Sequence, residues 1–374
     1  MSYLGSAIAH SDQLVSKYIY NHDIMNCTAD GVIGNHLYSG RALGLTEPWD
    51  KIQLHEKLKP YWDDIVSHYE RVGLSHTKDV IWDVDLTHLG YHIGYIPSVF
   101  FFGENEFSNW GDNQWYQAVD FINSKNNFME IAEELGVDVP KTLCFESADE
   151  IDVASIERMT YPCYLKAAIS VSGVGIYRCR NKVELMYNIN KFDSNTPVQL
   201  QEEIITNFFL NMQYKVTADS VERLTASEQI LDGFVHQGNR VPACFEPWES
   251  VDKMAFWLKD KGIKGIFAFD VAVVQTNNGL RFPAIECNPR FNGASYPTLI
   301  ANKLGIDEWS SITLETKFKT LKDIDLSGIE YDKKTGEGAI LVNWGTVKQG
   351  KLMILLAGSK HYQDALKIEL EARL

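Results

Sequence analysis

The sequence predicts an α/β fold of the α+β kind, in which helices and strands alternate along 374 residues. Three observations lead to this prediction. Apolar residues recur at helical spacing in segment 124–136, several short β-branched and aromatic runs are separated by turns, and an Asn-Gly turn at 277–279 joins two apolar strands. At about 150 residues per domain, the length indicates two or three domains.

Composition and charge exclude several classes of protein. The chain has 35 basic and 50 acidic residues, a net charge of −15, and this argues against a broad nucleic-acid surface. No apolar run approaches the roughly 18–20 residues that a membrane helix needs, and the first residues lack a signal-peptide pattern. The six cysteines are scattered without a CxxC pair. We therefore expect a cytoplasmic protein without a nucleic-acid or membrane partner.

The first stretch, residues 1–118, is rich in aromatic residues and lacks a GxGxxG motif. Apolar patterns at 80–82 and 96–102 predict strands, and the pattern at 49–72 predicts a helix. These elements indicate an N-terminal α/β domain whose strand order stays open.

A helix is predicted after Ser124, which can cap its N-terminus. Phe128, Ile131, Ala132 and Leu135 follow at the spacing of one buried helix face. Gly136 ends this helix, and a proline four residues later prevents its continuation.

A β-rich stretch follows from 160 to 204, with strands predicted at 161–166, 176–179 and 198–204 and a helix at 182–190. Between the first two strands lies a loop of small residues, 170–175, directly after Lys166. The N–H groups of such a loop can surround phosphate oxygens, and the lysine supplies the opposite charge. A plain hairpin with a mobile tip is the alternative, because the GxxxxGK[ST] pattern is absent.

The hairpin around the Asn-Gly turn carries the acids that most clearly indicate chemistry. Asp270 lies in its first predicted strand, 266–274, while Glu286 and Asn288 share one face at the end of the second, 280–287. Pairing across the turn can bring these oxygens together as the hard ligand set that Mg²⁺ prefers. Arg290 would lie on the same face and could hold a carboxylate or phosphoryl group. A polar strand that faces solvent is the alternative interpretation.

The last stretch predicts a small β unit, with strands at 339–347 and 351–356 around a turn at 348–350, and then a helix at 362–372.

Taken in order, residues 120–305 resemble the ATP-grasp superfamily. The most specific pieces are GIFAFD at 265–270 and IECNPRFNG at 285–293, which look like the family's metal-binding acid and its E-x-N-P-R element. The resemblance implies an ATP-grasp domain at 119–336 with a lid subdomain at about 140–203, preceded by a pre-ATP-grasp domain and followed by a β/α element at 337–374.

The resemblance also implies the site. Asp270, Glu286 and Asn288 would bind one or two Mg²⁺ ions, with Mn²⁺ as an alternative, and Arg290 and Lys166 would be catalytic. The residues that would contact ATP are Lys125, Lys166, Ser172, Gly173 and Gly175 around the phosphates, and Gln201, Glu202, Glu203 and Ile204 around the adenine. Gln201 departs from the usual glutamate at the start of the adenine hinge, which leaves the register of that hinge open.

ATP-grasp enzymes usually activate a carboxylate as an acylphosphate, which an amine then attacks. The C-terminal stretch weakly resembles pheganomycin-type peptide ligases, so we expect an amino acid or peptide ligase that releases ADP and phosphate. An enzyme that loads an amino acid onto a carrier-protein thiol and a small-molecule kinase are the alternatives. Arg240 and His236 are candidates for substrate binding, together with Arg290. A carrier protein and a second copy of the chain stay open as partners.

Overall fold

A computed structural model describes residues 16–28, 33–170, 175–217, 220–232 and 235–374. Its helices are α1 (Trp62–Val72), α2 (Glu104–Trp110), α3 (Asn113–Asn123), α4 (Lys125–Glu134), α5 (Val153–Arg158), α6 (Lys182–Ile189), α7 (Asp252–Lys261), α8 (Ser295–Leu304) and α9 (Lys360–Arg373). Its strands are β1 (Tyr18–Asn21), β2 (Lys51–Gln53), β3 (Val80–Ile81), β4 (Ile96–Val99), β5 (Thr142–Phe145), β6 (Cys163–Ala167), β7 (Ile176–Cys179), β8 (Val198–Glu202), β9 (Phe209–Val216), β10 (Val221–Asp232), β11 (Val235–Val241), β12 (Gly265–Ala272), β13 (Val274–Thr276), β14 (Gly279–Arg281), β15 (Ala284–Asn288), β16 (Trp309–Glu315), β17 (Gly338–Asn343) and β18 (Lys351–Ala357).

The N-terminal segment forms a parallel sheet with strand order β3-β2-β1-β4. The strands predicted at 80–82 and 96–102 are present in shorter form, but the helix predicted at 49–72 is only half correct. Its first half contains β2 and the 3-10 helix Glu56–Tyr61, and α1 begins just after Pro60. Proline has no N–H to donate and is accepted before or at the first turn of an α-helix, so the regular helix starts only there.

Helix α4 confirms the helix that was predicted after Ser124. The Ser124 side chain accepts a hydrogen bond from the Asn127 N–H at 3.5 Å, and Phe128 and Ala132 are fully buried. Gly136 follows the helix with a φ of +65°, a left-handed conformation that favours glycine. Capping and burial thus place Lys125 at the first turn.

A separate antiparallel sheet with strand order β5-β8-β6-β7 covers residues 142–202. It has its own apolar core, in which Leu165, Leu185 and Leu200 are fully buried. This sheet occupies the stretch where the lid subdomain is predicted.

The described residues also form an eight-stranded sheet with order β15-β12-β9-β10-β11-β16-β18-β17. The Asn-Gly turn is where the sequence predicts it, but it closes the short hairpin β13–β14, which is separate from the large sheet. The predicted strands 266–274 and 280–287 are each broken in two. Pro283 lies between β14 and β15 and has no N–H for a ladder bond, which accounts for the second interruption.

The C-terminal strands continue the large sheet, because β18 pairs with both β16 and β17. A 3-10 helix at Gly345–Gln349 replaces the end of the strand predicted at 339–347. Side chains of this stretch, such as Trp344 and Leu355, share one apolar core with N-terminal residues such as Leu37 and Tyr69. Of the helices within the described residues, none has the length and apolar character needed to cross a membrane.

Candidate nucleotide and metal site

A row of polar side chains crosses one face of the eight-stranded sheet. Asp270 of β12 lies directly opposite Glu286 of β15 on one side and Asn211 of β9 on the other. Asn211 in turn lies opposite Ser227 of β10, whose hydroxyl accepts a hydrogen bond from the Asn239 side chain of β11 at 3.0 Å. Opposite residues of antiparallel strands share a face. The pairing confirms that the two acids come together.

Asp270 is held by three amide side chains. Asn211 and Gln229 donate to its Oδ1 at 2.8 and 2.6 Å, and Asn288 donates to its Oδ2 at 3.1 Å. Burial first, and then the neighbouring Glu286 charge, raise the pKa of Asp270 to about 7 in spite of these donors. Burial and the Glu286 charge together therefore outweigh the effect of the amide donors.

Glu286 lies among positive groups. Lys125 Nζ lies 3.3 Å from Glu286 Oε2 and also donates to the Ser170 hydroxyl at 3.2 Å. Burial alone would raise the pKa of Glu286, but the Lys125, Lys166 and Arg290 charges lower it below its usual value. Glu286 is therefore the ionised member of the acidic pair.

Lys166 extends from β6 of the smaller sheet toward the same acid. Its ammonium donates to Gln201 Oε1 at 2.6 Å, and burial lowers the pKa of Lys166 to about 8, with the Glu286 charge opposing that shift. Helix α4 and the smaller sheet thus each supply one lysine to the acids of the large sheet.

Arg290 follows β15, and its guanidinium carbon lies 5.6 Å from the ring centre of Phe100. The backbone around it is fixed by a bridge to Phe101 and by a hydrogen bond from the Phe291 N–H to the Phe100 carbonyl at 3.1 Å. Burial lowers the pKa of Arg290, and the Glu286 and Asp270 charges oppose that change. The N-terminal domain therefore forms one wall beside this arginine.

The donor set at these acids fits a hard divalent cation. Two carboxylates face each other across adjacent strands and repel each other. Asn288 donates to Asp270 through its Nδ2, so its amide oxygen is left as a ligand. No cluster of three or more His, Cys, Asp and Glu side chains that suits a metal occurs in the described parts of the chain. A cation here would therefore depend on the Asn288 oxygen and on phosphate oxygens, which suits Mg²⁺.

The predicted phosphate loop is described only at its ends. Ser172 and Gly173 lie outside the described residues. Gly175 has a φ of +74°, and its carbonyl accepts a hydrogen bond from the Ala167 N–H at 2.9 Å, which closes the base of the loop next to Lys166.

The predicted adenine hinge lies at the end of β8, next to Lys166. Gln201 is buried, and its side-chain oxygen accepts a hydrogen bond from the Lys166 ammonium. Glu202 accepts from the Lys141 N–H at 2.9 Å, and Glu203 forms an ion pair with Arg178 at 2.6 Å. Both acidic side chains are therefore engaged by residues in or beside the smaller sheet, and Ile204 is half-buried beside them.

His236 and Arg240 lie on opposite faces of β11. His236 Nε2 and Asn239 Oδ1 are 2.6 Å apart, and a Cβ on Gly293 would lie 2.9 Å from the imidazole, so His236 is on the face of the acids. Because Asn239 donates through Nδ2, its oxygen accepts from His236, and Nδ1 is left as the basic nitrogen. Burial lowers the pKa of His236.

Arg240 is the next residue after Asn239 and pairs with Glu228, the neighbour of Gln229. Since successive strand residues point to opposite faces, Arg240 points away from Asp270. Arg240 therefore lies outside the group of side chains around Asp270, with its Nε buried and without a hydrogen-bond partner among the described residues, and its part in substrate binding stays a prediction.

Asn211 and Gln229 donate to Asp270 but are not among the predicted metal ligands. The signal for Asn211 was its polar position between Leu210 and Met212, two buried residues of the same strand. No local signal marks Gln229, which reaches Asp270 only through strand pairing.

Solved structures share this architecture, whereas no family model matches the sequence. An N5-carboxyaminoimidazole ribonucleotide synthetase (purK) in complex with ADP is 13% identical over 95% of both chains, with a TM-score of 0.61. An N5-carboxyaminoimidazole synthetase from Staphylococcus aureus with ADP is 14% identical over 96% of both chains, with a TM-score of 0.60. A synthase from Aspergillus clavatus with ADP and 5-aminoimidazole ribonucleotide is 13% identical over 87% of this chain and 98% of its own, with a TM-score of 0.51. These matches confirm the predicted fold: the chain has the ATP-grasp architecture of these synthetases, with its N-terminal domain included.

Proposed function

We propose that this protein is an ATP-dependent ligase that activates a carboxylate as an acylphosphate and couples it to an amine, releasing ADP and phosphate. One observation carries the proposal: Asp270 and Glu286 face each other beside two lysines and one arginine that come from three separate parts of the chain. Phosphoryl transfer needs this combination of positioning and charge neutralisation, and no covalent nucleophile.

The roles follow from the positions. Asp270, Glu286 and Asn288 would hold Mg²⁺, which supplies charge neutralisation at the β- and γ-phosphates when bound. Lys125 and Lys166 bind phosphate oxygens, and the ammonium of Lys125, now 3.3 Å from Glu286, exchanges that partner for phosphate. Arg290 binds the carboxylate while it attacks the γ-phosphorus and displaces ADP.

The second half-reaction needs an amine and a proton acceptor. The amine nitrogen attacks the acyl carbon, the C–O bond to phosphate breaks, and an N–H proton leaves. His236 Nδ1 is the proton acceptor that we propose, because the imidazole is neutral and its Nε2 is engaged by Asn239.

The similar structures support both substrates. Two of them hold ADP, and the Aspergillus clavatus protein holds ADP together with 5-aminoimidazole ribonucleotide, a ligand that carries an amino group. By analogy we assign ATP and an amine to this chain. The C-terminal resemblance to peptide ligases supports an amino acid or peptide as the substrate.

The experiment is ADP release with Mg-ATP over a panel of carboxylates, with bicarbonate included, and of amines, tested singly and in pairs and followed by mass spectrometry. A product equal to the two substrates less water supports the ligase. With one carboxylate and hydroxylamine, a hydroxamate shows the acylphosphate and leaves the natural acceptor open between an amine and a carrier thiol. A stable phosphorylated product that hydroxylamine does not convert would instead identify a kinase. Glu286→Gln should abolish turnover, whereas Glu184→Gln on the lid surface should retain it.

A further inference from the structure

Arg41 is a buried arginine whose guanidinium has hydrogen-bond donors without a partner within the described residues. It lies in the 3-10 helix Asn35–Leu45 of the N-terminal domain, and only 8% of its surface is exposed. The guanidinium carbon is 4.4 Å from the ring centre of Phe100 and 4.5 Å from that of Tyr296. Its Nε and Nη2 are buried without a hydrogen-bond partner in the described part of the chain. A buried charge with unpaired donors is unfavourable unless a ligand provides the partner.

The same two atoms bind carboxylates elsewhere in this chain. Arg71 donates from Nε and Nη2 to Glu330 at 2.7 and 2.8 Å, and Arg281 donates from the same two atoms to Asp138 at 3.0 and 2.6 Å. This edge of a guanidinium matches the two oxygens of a carboxylate. Arg41 therefore presents, inside the protein, the edge that its counterparts use for carboxylates.

Arg41 also lies beside the reaction site. Phe100 is 4.4 Å from the Arg41 guanidinium carbon and 5.6 Å from that of Arg290, so the two carbons are no more than about 10 Å apart. That span suits two carboxylates carried by two small substrates. A group bound at Arg41 would be close to the carboxylate that reacts at Arg290 without being identical to it.

Asp23 adds an acceptor to the same region. Its Oδ1 accepts from the Met25 N–H at 2.9 Å, while its Oδ2 is buried without a partner among the described residues. Asp23 directly follows His22, whose Nδ1 lies 2.8 Å from the hydroxyl of Tyr296, the ring that the Arg41 guanidinium contacts. Burial raises the pKa of Asp23, and the Arg41 charge is among the groups that oppose this change. One unpaired donor edge and one unpaired acceptor oxygen together complement a molecule that carries both a carboxylate and an amine.

We propose that Arg41 binds a carboxylate that is not consumed in the reaction, and that this carboxylate belongs to an amino acid that serves as the amine substrate. Asp23 Oδ2 accepts a hydrogen bond from the amine of the same molecule. The inference rests on the proposed ligase function for the reaction, but binding of an amino acid at Arg41 can be tested without turnover.

The first experiment measures binding without ATP. Thermal denaturation of the wild-type protein is followed with each of the common L-amino acids at 10 mM, and again with the carboxamide of each amino acid that raises Tm. We expect the acid to raise Tm and the carboxamide to have no effect. Arg41→Met should lose the response, and Arg41→Lys should regain part of it. Arg71→Met is the matched control, because Arg71 already has Glu330 as its partner, and its response should equal that of the wild type.

The second experiment measures ADP release with the best pair of substrates. We expect Arg41→Met to raise the KM of the amino acid about 100-fold, as loss of a bidentate charged contact does, while the KM of ATP stays unchanged. With the wild type, the KM of the carboxamide should exceed that of the amino acid by the same factor. With Arg41→Met, the KM of the carboxamide should rise no further. A dicarboxylic acid and its monoamide are compared as acyl donors. The KM of the dicarboxylic acid, and not that of the amino acid, could turn out to depend on Arg41 and to rise on amidation. The carboxylate bound at Arg41 would then belong to the acyl donor, which overturns the assignment to the amine substrate.

The two proposals fail in different ways. Turnover that does not distinguish the acid from its carboxamide refutes the role of Arg41 and leaves the ligase intact. Absence of ADP release with every pair refutes the ligase, whereas the Tm response still decides the binding role. The subsite is refuted if no amino acid raises the Tm of the wild type by more than it raises the Tm of Arg41→Met.

Discussion

Glu330 connects the N-terminal helix α1 to the edge of the large sheet, and its replacement by glutamine tests how firmly the two are joined. Glu330 accepts from His68 Nδ1 and from both Nε and Nη2 of Arg71. His68 Nε2 accepts from the Leu341 N–H at 3.0 Å, which fixes the proton on Nδ1. Helix α1, Glu330 and β17 are thus joined through one buried imidazole.

The magnitude follows from the pKa of Glu330. Burial alone would raise it, but the bonds from His68 and Arg71 lower it from 4.5 to about 2. At about 1.4 kcal/mol per pKa unit, this corresponds to roughly 3.5 kcal/mol, which we reduce to about 2 kcal/mol because the Arg71 side chain is 57% exposed. A lowered acid pKa stabilises the folded state above pH 4.5, and this stabilisation declines as the pH falls toward 2.

The assay is urea unfolding of the wild type and Glu330→Gln at pH 7 and pH 3. We expect the variant to be about 2 kcal/mol less stable at pH 7, and the difference to fall by more than half at pH 3. Glu184→Gln, which breaks an exposed pair with Arg180, should be indistinguishable from the wild type at both pH values. Equal stability of Glu330→Gln and the wild type at pH 7, or a difference that does not change with pH, would refute the reasoning.

Three further predictions concern the site and the sheet. Asp270→Asn should reduce ADP release by at least about 1000-fold but leave the Tm of the ligand-free protein no lower, because burial and Glu286 disfavour the ionised acid; a drop in Tm of several degrees would contradict this. Lys166→Met should weaken nucleotide binding in a titration by about 10- to 100-fold, while Lys141→Met, at the edge of the lid, should not; equal affinities would exclude Lys166 from the phosphate site. Gly238→Ala should unfold the chain or lower Tm by more than about 10 °C, because the new Cβ would lie 1.7 Å from the Ser311 carbonyl oxygen, whereas Gly90→Ala meets no atom within 4 Å and should be neutral; a stable Gly238→Ala protein would argue against the pairing of β11 with β16.

Local patterns predicted much of the fold. The spacing of Phe128, Ile131 and Ala132 behind a capping serine predicted α4, because a helix face and its cap depend on neighbours within one or two turns. The β-rich runs predicted most strands of the lid, since alternation and turn residues are also local. The same reasoning failed at 49–72 and at Pro283, where a proline interrupted a pattern that periodicity alone treated as continuous.

The candidate site was predictable where its residues lie close in sequence. Asp270 and Glu286 are 16 residues apart across a turn, and the two-residue period of a strand puts Glu286 and Asn288 on one face. Lys125 came from the family resemblance alone, whereas Lys166 was also marked by the loop of small residues that follows it. That the two lysines meet could not be derived from spacing, because they belong to different elements that come together only in the folded chain.

By itself, the sequence determined the helices α4, α6 and α9, most strands and the acidic pair, because each depends on contacts within about 20 residues. Only the tertiary structure decided which side chains of distant strands share a face. It placed Gln229 against Asp270, turned Arg240 away from the acids, and set Arg41 within about 10 Å of Arg290, 249 positions along the chain. Such contacts depend on strand order and register, and these are selected by the packing of the whole core.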